Sequence, residues 1–351
     1  MNIISRADIS LKNEPPLRAK AAGDDRLRIL DGWQAVSIGL VLAAHMLPLG
    51  PHAWNLNSLA GTLGMAIFFN LSGLLIVRIL LKDQSVPAFL LRRCARIIPL
   101  AWLTLLVVLT LAEARRDEWL ANLFFYANLP PFYLDNTAHF WSLCIEMQFY
   151  VLIAVAVALV GKRALYLAPF GAAAVTGLRI WNGVEISIVT WLRLDEILAG
   201  ATLALILTNQ SAGPCRLLRR LPWIPVAALC VVSAAPDMGP VNYLRPYFSA
   251  AMIGISVLRP LGPLSRALES RSASYLAQIS YALYVLHPYS MSGWLGAGAG
   301  WEKYAKRILC FALTFAGAHI STFSFERPIN RWAHRMTQSG SRTPLLIRPL
   351  D

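Results

Sequence analysis

Apolar runs long enough to cross a bilayer recur from Trp33 to Phe325, with short basic segments between them. Such runs constrain a fold more than any motif does, because in lipid every backbone N–H and C=O must be paired within the protein. Each run therefore reads as a helix. Ten are expected: 33–50, 59–81, 99–112 with Ile97 and Ile98 ahead of it, 141–160, 164–180, 188–207, 221–236, 243–261, 279–300 and 308–325.

Composition supports that reading. Of 351 residues 56 % are hydrophobic and 15 % charged, and the mean hydropathy is +0.52, beyond what the core of a soluble domain takes up. The net charge of +13 sits in short blocks between apolar runs, the arrangement that sets membrane topology and not the basic face that binds nucleic acid. With both termini cytoplasmic, 24 of the 32 lysines and arginines fall on the inner side. The expected fold is an all-α polytopic membrane protein of about ten transmembrane helices with both termini cytoplasmic. Residues 1–25 read as a disordered cytoplasmic tail, 26–333 as the membrane domain and 334–351 as a disordered basic tail. Segment 113–140 is too broken by Asn and Pro to span, and it reads as an outer re-entrant or interfacial loop. The five cysteines lack CxxC spacing and the histidines lack ligand spacing, so no metal site is expected.

The first span carries a single histidine, His45. Ionisable groups inside a membrane are costly and mark pathways or chemistry. Gln34 lies 11 positions earlier, which returns it to the same helix face about 16 Å lower. In the fourth span Glu146 comes five residues after Trp141, so with this topology it and His45 sit at similar depth. A carboxylate beside a neutral imidazole fixes the tautomer and stabilises the imidazolium, which makes the two a candidate general-base pair. Each also fits a structural role as a polar contact between helices. His139, seven residues before Glu146, reads as an interfacial residue.

Three other groups stand out. Arg92, Arg93 and Arg96 fall on one helical turn at the inner surface, where guanidinium groups either hold phosphates or anchor the chain by positive-inside charge. Arg193, Asp195 and Glu196 lie in the span 188–207, and an internal Arg193–Asp195 pair is expected. Tyr281, Tyr284 and His287 precede Pro288, which would kink that helix and turn His287 towards an interior cavity.

Together LDGWQAVSIGLVLAAH, FFNLSGLLIVRILL, FLLRRCARIIPLAW, FWSLCIEMQFY, RLDEILAG, ISYALYVLHP and FERPINR resemble, in order, the blocks of the acyltransferase-three family of integral membrane acyltransferases. The resemblance covers nearly all of 30–331. It implies transfer of an acyl group, commonly acetyl, from cytoplasmic acyl-CoA to a hydroxyl of an envelope or exported glycan, without a bound cofactor, in a bacterial inner membrane. It also implies that His45 and Glu146 are the catalytic pair and that Arg93 and Arg96, with Arg92 beside them, bind acyl-CoA. Gln34, Ser72, Arg193, Asp195, Tyr281 and His287 are expected in support. The family usually has a basic residue where this chain has Gln34, and Gln supplies hydrogen bonds but no cation. The chain ends soon after the last expected helix, so transfer is expected of the membrane domain itself or with a separate partner. A carrier or flippase for a glycan or lipid-linked substrate, its buried charges lining a path, is the other class of function that fits.

Overall fold

The computed structural model of the protein describes residues 28–83, 85–209 and 212–339; the expected N-terminal tail, and the C-terminal one beyond Ser339, lie outside them. The described residues are mostly helical, with no strand among them. In chain order the helices are α1 (Arg28–Met46), α2 (Leu56–Lys82), α3 (Val86–Leu111), α4 (Arg116–Leu123), α5 (Trp141–Val160), α6 (Ala168–Trp181), α7 (Asp195–Thr208) and α8 (Gly213–Arg220). They continue with α9 (Trp223–Ala234), α10 (Arg245–Leu258), α11 (Pro263–Leu268), α12 (Arg271–Leu286), α13 (Gly293–Gly296), α14 (Trp301–Ile320) and α15 (Arg327–Ser339).

Among the described residues, five helical runs are long and apolar enough to cross a membrane, or six if α8 and α9, bent by 92°, form one span. Several expected spans prove shorter. At 14 residues α6, α7 and α10 each rise about 21 Å, well under the thickness of a bilayer core. The missing turns are 3-10 stretches at Gly161–Leu167, Thr190–Leu192 and Gly239–Leu244. Two of these stretches stand just ahead of Pro169 and Pro246, which have no N–H for a ladder and belong in a first turn. The span expected from Ile188 begins only at Asp195, whose carboxylate takes the N–H of Glu196. Likewise α12 starts earlier than expected, with Ser270 capping the N–H of Ala273, and it stops at Leu286, ahead of Pro288. The broken segment 113–140 holds one short helix, α4, tied down by Asn122 bonding the carbonyls of Glu118 and Tyr133. Helix α15 carries the chain through His334 to Ser339, so the first residues of the expected basic tail are helical.

Large apolar side chains cover the outside. Leu111, Leu159 and Trp181 are 81, 79 and 88 % exposed, and they belong to continuous outward faces on α3, α5 and α6. Water does not tolerate that much apolar surface, so the protein is an integral membrane protein. Inside, α2 is the central helix, packed on both α1 and α7. Its approach to α7 depends on two glycines: a Cβ on Gly73 would meet the backbone of Ile197, and one on Gly200 the backbone of Asn70. Close backbone contact at small residues is how membrane helices associate. Gly73 and Gly200 sit in the blocks FFNLSGLLIVRILL and RLDEILAG.

Candidate active site

Three cavities follow one another through the bundle. The first, about 780 Å³, is lined by Arg92, Arg93, Arg96 and Arg327 against Asp31 and Glu326, an excess of guanidinium groups. The second is a neck of about 70 Å³ that shares Gln34, Arg93, Arg96 and Tyr281 with the first. The third, about 770 Å³, meets the neck at Met65 and Tyr284 and is lined by His45, His139, His287 and Arg193. Helix α1 runs past all three, with Asp31 and Gln34 at the arginine end and His45 at the histidine end.

Helix α3 supplies the arginines. Ser85 caps its start and Pro87 sits in its first turn, so the block from Arg92 to Arg96 begins nearly two turns into the helix. Arg93 and Arg96 reach both the first cavity and the neck, while Arg92 turns aside to Asp83 at 3.0 Å and Thr337 at 3.3 Å. The Ser85 N–H, and then this contact with Arg92, hold the Asp83 carboxyl below the usual carboxylate range. Arg93 also lies over the rings of Phe89 and Tyr150 at 6.0 and 5.8 Å, which leaves its N–H groups at its edge. On the opposite wall a π-helical stretch, Ser321–Glu326, precedes α15, and the Glu326 carboxylate accepts from Ser321 and Thr322. Gln34 donates to the Ser280 hydroxyl at 2.8 Å.

Glu146 lies in the neck and is 6 % exposed. Its Oε1 accepts from the hydroxyls of Ser72 and of Tyr150, the latter at 2.5 Å. Tyr281 borders the same neck and donates to the carbonyl of Ile97 at 2.5 Å. No hydrogen bond joins Glu146 to His45. Glu146 shares the neck with Gln34, Ser37 and Val41 of α1, whereas His45, one turn beyond Val41, lines the next cavity. The two side chains lie in successive cavities and not at one level.

His45 is held otherwise. Its Nδ1 donates to the carbonyl of Val41 at 2.8 Å, one turn back on α1, which leaves Nε2 as the acceptor. Its ring lies 5.1 Å from that of His287, and His287 in turn 5.7 Å from His139. His287 has the same disposition, Nδ1 to the carbonyl of Tyr284 at 2.8 Å, and its buried Nε2 has no partner. His139, expected at the interface, is a member of this cluster, with Nε2 3.2 Å from the carbonyl of Val285. It lies in a 3-10 turn, Ala138–Phe140, ahead of α5, and nothing in the sequence marked its approach to His287.

The expected Arg193–Asp195 pair is not formed. Asp195 pairs with Arg179 at 2.5 Å, and Glu196 takes Arg245 at 2.7 Å and Arg193 at 3.3 Å. Residues two apart at a helix start point away from each other, whereas Arg193 and Glu196, three apart, share a face. Sequence reasoning missed Arg179 and Arg245, which lie on α6 and at the first position of α10 with nothing local to mark them.

A profile of the Acyltransferase domain family matches residues 27–327, the whole body of the bundle. The chain belongs to this family. Two curated relatives align with it: the peptidoglycan O-acetyltransferase OatA of Listeria monocytogenes, 26 % identical over 307 residues, and YrhL of Bacillus subtilis, provisionally assigned the same activity, 26 % identical over 313. Each alignment covers 74 % of this chain but 48 and 47 % of the relative, so the chain spans about half the length of the curated relatives it matches. No solved structure gives a significant match.

Proposed function

We propose that the protein is a membrane O-acetyltransferase that takes an acetyl group from cytoplasmic acyl-CoA and places it on a hydroxyl of an envelope glycan, peptidoglycan being the leading class. The observation that carries this is the order of the three cavities: guanidinium groups at one end, a narrow neck, histidines at the other. In this reading the bundle is the ten-span domain of a bacterial inner membrane with both termini cytoplasmic, and the arginine cavity opens inward. Arg93 and Arg96 hold the phosphates of CoA there, with Arg92 and Arg327 adding to the field. The thioester enters the neck beside Glu146, and the acceptor occupies the histidine cavity.

His45 is the general base. The Val41 carbonyl fixes its tautomer, so Nε2 takes the proton of the acceptor hydroxyl. The hydroxyl oxygen bonds the acyl carbon, the C–S bond breaks, and the proton passes to the departing CoA thiolate. Ser72 and Tyr150 keep Glu146 facing the neck as an acceptor, so this carboxylate acts on the passage of the thioester and not on the imidazole of His45. The relatives' names favour transfer over a carrier, which would move its substrate without consuming acyl-CoA. The test is transfer of radiolabelled acetyl from acetyl-CoA to an alkali-labile glycan ester by membranes holding the protein. His45→Ala is expected to cut that transfer by about 10² to 10⁴-fold with folded protein unchanged. Full activity in the variant sinks the assignment of His45, and glycan movement without acetyl-CoA consumption sinks the enzyme.

A further inference from the structure

We propose that Arg193 is the anion-binding residue of the histidine cavity, so that the acceptor presents an oxyanion, a sugar carboxylate or a sugar phosphate, close to the hydroxyl that is acylated. This rests on the reading of that cavity as the acceptor site.

Arg179, Arg193, Arg245, Asp195 and Glu196 form one buried cluster, none of them more than 1 % exposed. Three cations face two carboxylates. Arg179 and Arg245 each make a close hydrogen bond to a carboxylate, at 2.5 and 2.7 Å, and both also bond the backbone carbonyl of Glu185. Arg193 has only a 3.3 Å ion pair with Oε2 of Glu196, the carboxylate whose Oε1 is held by Arg245. Its Nε and Nη1, which carry three of its five N–H donors, have no partner. The guanidinium is nevertheless held in place, packed against the touching rings of Phe69 at 5.8 Å and Trp141 at 5.5 Å.

A buried cation with free donors is expensive, and burial is offset only by a compensating charge. Arg193 lines the histidine cavity, which at about 770 Å³ is large enough for a disaccharide. The compensating charge therefore comes with the ligand. Asp135 also borders this cavity, but it is exposed and makes no ion pair with Arg193. A single fixed cation beside the histidines selects an anionic sugar and orients its hydroxyls.

The experiment is calorimetric binding to the purified full chain, without acetyl-CoA, of N-acetylmuramate, N-acetylglucosamine 1-phosphate and uncharged N-acetylglucosamine. At least one anionic sugar is expected to bind about tenfold or more tighter than the neutral one, the range of a buried charge-assisted hydrogen bond. The tighter of the two identifies the carboxylate or the phosphate as the source. Arg193→Gln leaves two arginines against two carboxylates, and it is expected to erase the preference without weakening N-acetylglucosamine. Arg193→Lys, which keeps the charge but not the fork of donors, is expected to retain part of it. Equal binding of all three sugars to the unaltered protein overturns the inference with no variant needed, and so does a preference that survives Arg193→Gln. Because acetyl-CoA is absent, a negative result here leaves the transfer reading standing, and a failure of label transfer leaves a positive result here standing.

Discussion

Within the buried cluster the arginines are not equivalent, and substituting each by glutamine ranks them. Every such variant leaves two cations against two anions, so net charge does not separate them; hydrogen bonding does. Arg245→Gln removes the 2.7 Å bond to Glu196 Oε1 and strands that oxygen, with Glu196 then left to the longer contact with Arg193. Breaking a buried pair from one side costs about 3 to 5 kcal/mol. Arg179→Gln removes a 2.5 Å bond to Asp195 together with bonds to the carbonyls of Val184 and Glu185, and costs at least as much. Arg193→Gln gives up the looser 3.3 Å ion pair to Glu196 Oε2 but no close hydrogen bond, and it relieves two unpartnered nitrogens, so about 1 kcal/mol is expected. At about 2 °C per kcal/mol for a large domain, the first two variants lose about 6 to 10 °C in Tm and the third about 2 °C. Thermal unfolding in detergent, followed by tryptophan fluorescence, reads the difference. A loss for Arg193→Gln equal to that for Arg245→Gln refutes the reasoning, because Arg193 would then carry structural weight that its contacts do not show.

Three further outcomes are expected. Tyr150→Phe and Ser72→Ala each remove one of the two donors to the buried Glu146 oxygen and cost about 1 to 3 kcal/mol, and pairing Tyr150→Phe with Glu146→Gln in a double-mutant cycle should show coupling of about 1 kcal/mol or more. Gln34→Arg places another guanidinium beside Arg93 and Arg96, so the ligand-free protein should melt lower while CoA raises its Tm by more than it raises that of the unaltered protein; an unchanged CoA shift rules out phosphate at this end. Gly200→Ala forces α7 away from the Asn70 backbone and shifts α2, which carries Ser72, so folded yield and transfer should fall together, whereas the same change at Gly177, where a Cβ meets nothing within 4 Å, should leave both unchanged.

The membrane class and the helix order were legible because hydropathy over some 20 residues averages out local detail. Helix ends were not. The span expected from Ile188 starts at Asp195, where the fully buried Asp195 and Glu196 in the first turn are held by partners on other helices. Those partners, Arg179 and Arg245, are 16 and 49 residues from the carboxylates they meet, a distance at which no periodicity signals contact. The glycines at the α2–α7 contact stood in plain view within their blocks. What they accomplish, backbone against backbone, appears only once the two helices are side by side.

The site was legible at its ends and not at its middle. Arg93 and Arg96 on one turn, and His45 on the face it shares with Gln34, follow from α-helical periodicity, and both groups border cavities. The Glu146–His45 pairing is not formed because a residue count from each helix end places a side chain only to within a turn or so, and here Glu146 faces Val41 in the neck while His45, one turn on, faces the next cavity. That failure changes the chemistry that is assigned. A carboxylate on the imidazole would have stabilised the imidazolium directly; the Val41 carbonyl only fixes which nitrogen is free. The stabilising charge has to come from elsewhere in the histidine cavity, where Arg193 is a cation, of the wrong sign for that task, and Asp135, the carboxylate at its border, is exposed. A bound oxyanion of the acceptor, held by Arg193, supplies the right sign on the right side of the neck. In such an arrangement the substrate's own anion completes the base, and neutral acceptors lose rate as well as affinity.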